Sequence, residues 1–152
     1  MPLVPRKGVL AIADVVDVAL YARTRPVSAK ALAARNMLPP RHLEPVLQAL
    51  VRDGILKGIR GPHGGYEIAR EHDKITAEDI LHSAGSVDEG EPPLPASALV
   101  SQIVHPALAQ AEHLFSAALR GITLADMTQR AASATVHDLD SFDAIPVEAK
   151  VR

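Results

Sequence analysis

The first residue equipped for chemistry is Arg60, which heads the string Arg60-Gly61-Pro62-His63-Gly64-Gly65-Tyr66. Three glycines and a proline within five positions exclude a helix and predict a hairpin turn. Glycine supplies positive φ without steric cost, and Pro62 presets a turn. Residues 55–59 and 66–69 read as the flanking strands. A guanidinium at the base of such a hairpin can reach a backbone phosphate or a narrow minor groove. An ordinary surface hairpin has the same turn chemistry without that use.

A second polar set precedes the hairpin. Arg41, His42 and Glu44 open a segment over about 40–53 whose apolar stripe is Leu43, Val46, Leu47, Leu50 and Val51. Pro39-Pro40 suits a helix start, and Gly54 is the stop. Pro45 removes a backbone donor, at small cost so near the N-terminus. At a helix N-terminus Arg can fork onto guanine, and Glu can accept from the cytosine amino group. A merely solvated helix face is the alternative.

The elements that must position these residues are legible upstream. Residues 8–23 carry Val9, Leu10, Ile12, Ala13, Val16, Ala19 and Leu20 at helical spacing, with Asp14 and Asp17 expected on the opposite, polar face. Ser28 is a plausible N-cap for a short helix through about Arg35, and Asn36-Met37-Leu38 is the turn. Helix, helix-turn-helix and hairpin in that order predict a mainly α fold with a small β-hairpin wing, a winged helix-turn-helix.

Other chemistries are poorly supplied. The chain has no cysteine, which removes disulfides, thiol nucleophiles and thiolate-held clusters. Asp79, His82 and Ser83 sit together in sequence, but on one short helix they read as a capped polar surface rather than a catalytic set. Gly61-x-x-Gly64-Gly65 lacks the Lys-Ser/Thr of a phosphate-binding loop. His105 and His113, eight apart, share a helix face and are weak candidates for a zinc or nickel site across a dimer, with His82 or loop acids. No metal and no enzymatic activity are expected.

Net charge is −2, but it is divided. Residues 1–70 hold 11 Lys and Arg against 5 Asp and Glu, a balance of +6; residues 71–152 hold 5 against 13, a balance of −8. A basic first half and an acidic second half suggest that only the first meets a polyanion. Chance clustering of surface charge is the alternative. The apolar fraction of 47% suffices for a core, though aromatics are only 3%, so that core is Leu, Val, Ile and Ala. No run approaches the roughly 18 apolar residues of a membrane helix, and the N-terminus lacks a signal-peptide layout, so a cytoplasmic protein without membrane contact is expected.

The second half has its own order. Thr76-Ala77-Glu78-Asp79 resembles a capping box opening a helix to about Ser83. Residues 85–96 form an acidic, proline-rich loop. From about Ser97 to Arg120 a long helix carries Leu99, Ile103, Ala107, Leu108, Ala111, Leu114, Phe115, Ala118 and Leu119 at steps of three and four. About 24 residues exceed what a small domain needs to cover itself, so a two-fold dimer helix is the natural use. A long core helix in a monomer is the alternative. Thr123 caps a short helix to about Ala132. The expected division is a DNA-binding unit over 1–84, the loop 85–96, the long and C-terminal helices over 97–133, and a flexible tail over 134–152.

Five blocks in this order resemble the Rrf2 family of bacterial winged-helix regulators, of the IscR, NsrR and CymR type. They are Arg6-Lys7-Gly8, Leu43-Glu44, Arg60 to Tyr66, Ile75-Thr76-Ala77-Glu78-Asp79-Ile80, and Thr123-Leu124-Ala125-Asp126-Met127. The resemblance covers about 6–133 and implies a homodimeric transcriptional regulator whose dimer is made by the long helix. Candidate contacts to double-stranded DNA are Arg6, Lys7, Ser28, Arg41, His42, Glu44, Arg60, His63 and Gly64. Candidate dimer residues are Leu99, Ile103, Leu108, Ala111, Leu114, Phe115 and Leu119. Many members hold an iron–sulfur cluster on three cysteines in the loop before the long helix; this chain has none there, so no cluster is expected. His105 falls near the family's histidine ligand and reads as a relic or a packing residue. The expected function is a repressor on a palindromic operator, responding to a non-thiol signal such as an unknown small-molecule effector. A protein-interaction module that kept the fold but lost DNA binding is the alternative, and a small-molecule or metal-binding enzyme has only scattered histidines behind it.

Overall fold

A computed structural model describes residues 3–85, 87 and 92–134. The most acidic part of the 85–96 loop (residues 86 and 88–91) and residues 135–152 of the tail lie outside them. Among the described residues, six α-helices and one hairpin follow in chain order. They are α1 (Arg6–Tyr21), α2 (Ala29–Asn36), α3 (Pro40–Arg52), β1 (Leu56–Ile59), β2 (Gly65–Ile68), α4 (Ala77–Gly85), α5 (His105–Arg120) and α6 (Leu124–Ser133). A short 3-10 turn over His72–Lys74 precedes α4.

The helix-turn-helix forms for local reasons. Ser28 Oγ accepts the Ala31 N–H and caps α2. Met37 takes a left-handed φ of 53°, and Leu38 N–H returns to Ala33 O at 3.0 Å, which stops α2 and turns the chain into α3. Pro40 lies in the first turn of α3, where no intrahelical donor is lost. Leu43, Val46, Leu47, Ala49 and Leu50 are its buried face. Gly54, at φ 73°, ends the helix and releases β1.

The hairpin is antiparallel, with Leu56 opposite Ile68 and Ile59 opposite Gly65. Tyr66 also bridges to Val27 in the α1–α2 connection. Gly65 sits so close to the Val27 carbonyl that a Cβ there would collide with it. The core beneath joins Val15, Val18, Leu32, Leu47, Leu50, Ile55, Leu56, Ile75, Ile80 and Leu124. It is aliphatic, as composition requires.

The two later sequence blocks meet in space. Thr76 and Thr123 form an isolated antiparallel bridge, with Ala77 N–H to Ile122 O and Leu124 N–H to Ile75 O, both 2.8 Å. Each threonine also caps the helix after it through a reciprocal capping box, with Asp79 on α4 and Asp126 on α6. One pair of backbone bonds thus ties the starts of both helices together.

Three expectations need correction. First, α1 begins at Arg6, two residues earlier than expected, so Arg6 and Lys7 lie in its first turn. Second, its buried stripe is Gly8, Ala11, Asp14, Val15 and Val18, while Val9 and Ala13 face outward. The stripe is rotated because small Gly8 lets α4 approach; a Cβ at Gly8 would meet Leu81. The rotation carries Asp14 inward, where Asn36 donates a hydrogen bond to it. Third, Ser83 is buried rather than part of a polar surface, and its hydroxyl helps hold the Asp53 carboxyl below the usual range, after the larger effect of Arg52.

The long helix runs from Ala98, capped by the Ser97 hydroxyl, through a π turn at Val100–Val104 into α5. Its pitch widens there for a reason the apolar spacing hid. Pro106 has no N–H and its ring crowds the preceding turn; the wider turn, with His105 N–H on Val100 O, makes room.

Candidate nucleic-acid interface

The exposed face of α3 carries Arg41, His42, Glu44, Pro45, Gln48 and Arg52. Arg41, His42 and Glu44, the candidate contacts of this helix, are thus all exposed. Gln48 was missed; it follows Glu44 by four residues and Arg41 by seven, so helical periodicity alone places it on this face. Its amide can fork onto adenine.

The candidate contacts gather in two places. Arg6, Lys7, Arg41 and His42 line one cavity, between the N-termini of α1 and α3. Ser28, His63 and Gly64 line a second, together with Arg25 from the α1–α2 connection. The basic run Arg23-Thr24-Arg25 was the available signal for Arg25. Glu44 lies near enough to Tyr66 that its carboxylate, after burial, pushes the phenol upward, which sets α3 and the hairpin side by side. Arg60 is exposed at the end of β1, where the hairpin turns.

The cations divide by use. Arg35 forks onto Asp17 at 2.6 and 2.8 Å and stacks over the Tyr21 ring, tying α2 to α1. Arg70 donates to Gly54 O and Asp53 O at the end of α3. Lys57 pairs with Glu67 across the hairpin, and Arg52 with Asp53. Arg6, Arg25, Lys30, Arg41 and Arg60 have no ion pair or hydrogen bond among the described residues. Of these, Arg6 and Arg41 line the first cavity, Arg25 lines the second, and Arg60 stands at the wing.

This arrangement is a winged helix-turn-helix, and the family described as "Rrf2: Iron-dependent Transcriptional regulator" matches residues 4–130. The chain belongs to the Rrf2 family. A Synechocystis protein bearing the name of an HTH-type transcriptional regulator is 33% identical over 126 residues, covering 80% of this chain and 84% of that one. CymR of Bacillus subtilis is 36% identical over 75 residues, 49% of this chain and 54% of that one. Among solved structures, T. potens IscR superposes with a TM-score of 0.68 at 30% identity, covering 89% of this chain and 92% of that one. The structure of CymR from B. subtilis gives 0.64 at 26%, covering 86% and 98%. The Rrf2 fold and its regulators make this chain a DNA-binding transcriptional regulator, not an enzyme.

The iron of the family description does not fit this Rrf2 chain. There is no cysteine anywhere, and no group of three or more His, Asp or Glu side chains that could hold a metal occurs among the described residues. His105 and His113 are both exposed on the long helix. Among the described residues no helix is long and apolar enough to cross a membrane.

The candidate dimer residues separate along the helix. Leu99, Ile103, Leu108 and Leu114 are 65%, 61%, 54% and 66% exposed, and Ala111 is exposed with them. Phe115 and Leu119 are half-buried and share a cavity with Leu81 of α4. There Glu78 accepts from Ser116 and pairs with Arg120 at 3.4 Å, fastening the end of α5 to α4.

Proposed function

We propose that this protein is a homodimeric repressor that binds a palindromic operator through Arg41, His42, Glu44 and Gln48 in the major groove. Arg6, Lys7, Ser28, Arg60, His63 and Gly64 act on the backbone or minor groove. The observation that carries this reading is the pairing of uncommitted cations around the helix-turn-helix with an uncovered apolar stripe on the long helix. A single chain leaves four large aliphatic side chains of that stripe in water, and a two-fold partner would cover them. The two recognition helices would then enter major grooves about one helical turn, ~34 Å, apart.

Backbone bonds and a shared core join the wing, α2 and α3 into one unit, which supports its use as a reading head on an operator. Release then requires a signal. Without thiolates that signal is a ligand or a protein partner acting by non-thiol chemistry.

The test is selection of bound fragments from genomic DNA by the purified protein, followed by salt titration on the selected sites. An inverted repeat with a steep fall of affinity with salt supports the reading. A flat salt response with no enriched sequence supports the other one, an interaction module that has lost DNA binding.

A further inference from the structure

Two acids on α1, Asp14 and Asp17, hold the last two residues of α2. Asp17 accepts the fork of Arg35 at 2.6 and 2.8 Å, and this pair is partly open to solvent. Asp14 accepts the side-chain amide of Asn36 through Oδ1 and is fully buried. Its Oδ2 is buried as well, without a hydrogen-bond partner among the described residues. Asn36 ends α2, and Met37 follows at a left-handed φ of 53°. The Met37 and Leu38 N–H groups return to Ala34 O and Ala33 O. Pro39, whose ring fixes φ, then leads into α3 at Pro40. So short and tied a connection passes a displacement of the end of α2 on to the start of α3.

Asp14 has two states with different demands. A neutral carboxyl keeps the Asn36 bond through its carbonyl oxygen and leaves a single hydroxyl unmet. A carboxylate in the same place has one amide donor for both oxygens and a second acid nearby on the same helix, whereas a well-stabilised buried carboxylate accepts about two or three bonds. Satisfying Oδ2 requires the contact between α1 and the end of α2 to loosen and admit a donor.

We propose that Asp14 is a positioning residue for α3: neutral, it holds Asn36 and the turn that launches α3 in the DNA-binding arrangement, and ionised, it frees that turn and weakens DNA binding. Burial, and then the Asp17 charge, push the carboxyl up to about 7, against the lowering effect of Asn36. The held turn therefore belongs to pH below about 7 and is lost as pH rises through it. The charged groups around Asp14 are Asp17 on its own helix and Arg35 on α2, already forked onto Asp17. Arg6, Lys7, Arg41 and His42 line the adjoining cavity. Among the described residues, α4, α6 and the hairpin contribute no charge to it. The effect on DNA rests on the reading of α3 given above; the effect on the turn does not.

The experiment is a pH titration of the isotope-labelled full chain by NMR, with and without Asp14→Asn, a variant that matches the neutral acid in shape and charge. The Asp14 carboxyl carbon is expected to titrate near pH 7, and the amides of Asn36, Met37, Leu38 and Leu43 to follow the same midpoint. Those amides should lose that step in Asp14→Asn, while histidine titrations, which fall in the same range, persist and are thereby separated. Asn36→Ala removes the donor that favours the carboxylate and should move the Asp14 midpoint upward. On DNA selected by the parent, the ratio of parent to Asp14→Asn dissociation constants should rise at least about fivefold between about pH 6 and pH 8.5. A carboxyl that titrates while the turn amides stay still overturns the proposal, as does one that keeps a single state across the range. A ratio that stays constant with pH overturns it too. If neither form binds DNA, it is the reading of α3 that fails, and the turn amides alone decide whether Asp14 positions the helix.

Discussion

Tyr66 and Val27 exchange both of their backbone hydrogen bonds, Tyr66 N–H to Val27 O at 2.8 Å and Val27 N–H to Tyr66 O at 3.0 Å. The wing is thereby an extra strand on the residue that precedes the Ser28 cap of α2. A hairpin alone is marginal in water, so this junction fixes where Arg60 and His63 stand relative to α3.

Gly65 lies at that junction. Gly65→Val places a branched Cβ against the Val27 carbonyl and should destabilise by about 2 kcal/mol. The melting midpoint should fall by about 4–8 °C, and DNA affinity should fall further than the stability loss explains, because the wing is displaced. Melting and DNA titration of the same preparation check both.

Arg60 and Glu44 should separate affinity from specificity. Arg60→Ala should weaken binding to all sequences alike and reduce the salt slope by about one. Glu44→Ala should alter base preference more than total affinity. Selection from random DNA and salt titration read the two effects. Parent-like behaviour of both variants would remove these residues from the interface.

If the long helix makes the proposed dimer, Leu108→Asp should leave the chain monomeric. The residue is exposed in the single chain, so no folding defect is expected, and circular dichroism should be unchanged. Sedimentation equilibrium measures the outcome. A variant that stays dimeric would place the interface elsewhere.

Asp14 should make stability depend on pH with a defined sign. Its folded value of about 7 lies above the ordinary 3.8, so its contribution is fully present below about pH 4 and is lost as pH rises through about 7. The loss is at most about 4 kcal/mol. Asp53 and Asp126, both held low in the folded chain, act in the opposite sense at more acid pH. The difference between Asp14→Asn and parent isolates the effect: the variant should gain relative stability from pH 4 to 7 and hold that gain above about 8. Denaturant unfolding at stepped pH measures it.

Much of the reading head was legible because its signals are local. Ser28, Pro40 and Gly54 act on the backbone within a few residues of themselves, and the structure caps, starts and stops helices where they stand. The capping boxes at Thr76 and Thr123 were equally local, yet their pairing across 47 positions was not, since no single-strand pattern announces a two-residue bridge. Pro106 was present in the sequence, but an uninterrupted apolar spacing masked the π turn it accompanies. Asp14 was misassigned because a charge on a helix is normally a marker of the wet face. The exception depends on a partner 22 positions away.

The sequence by itself determined the order of elements, the wing, the charge division and the lack of any thiolate chemistry, because these follow from residue types acting over a few positions or from counting. Only the tertiary structure decided which cations are spent on the scaffold, which face of α1 is buried, and that an acid lies beneath the recognition helix beside a cavity. Those outcomes depend on how helices distant in sequence share one core, where the small side chain of Gly8 lets α4 close on α1 and the rotation that results carries Asp14 inside.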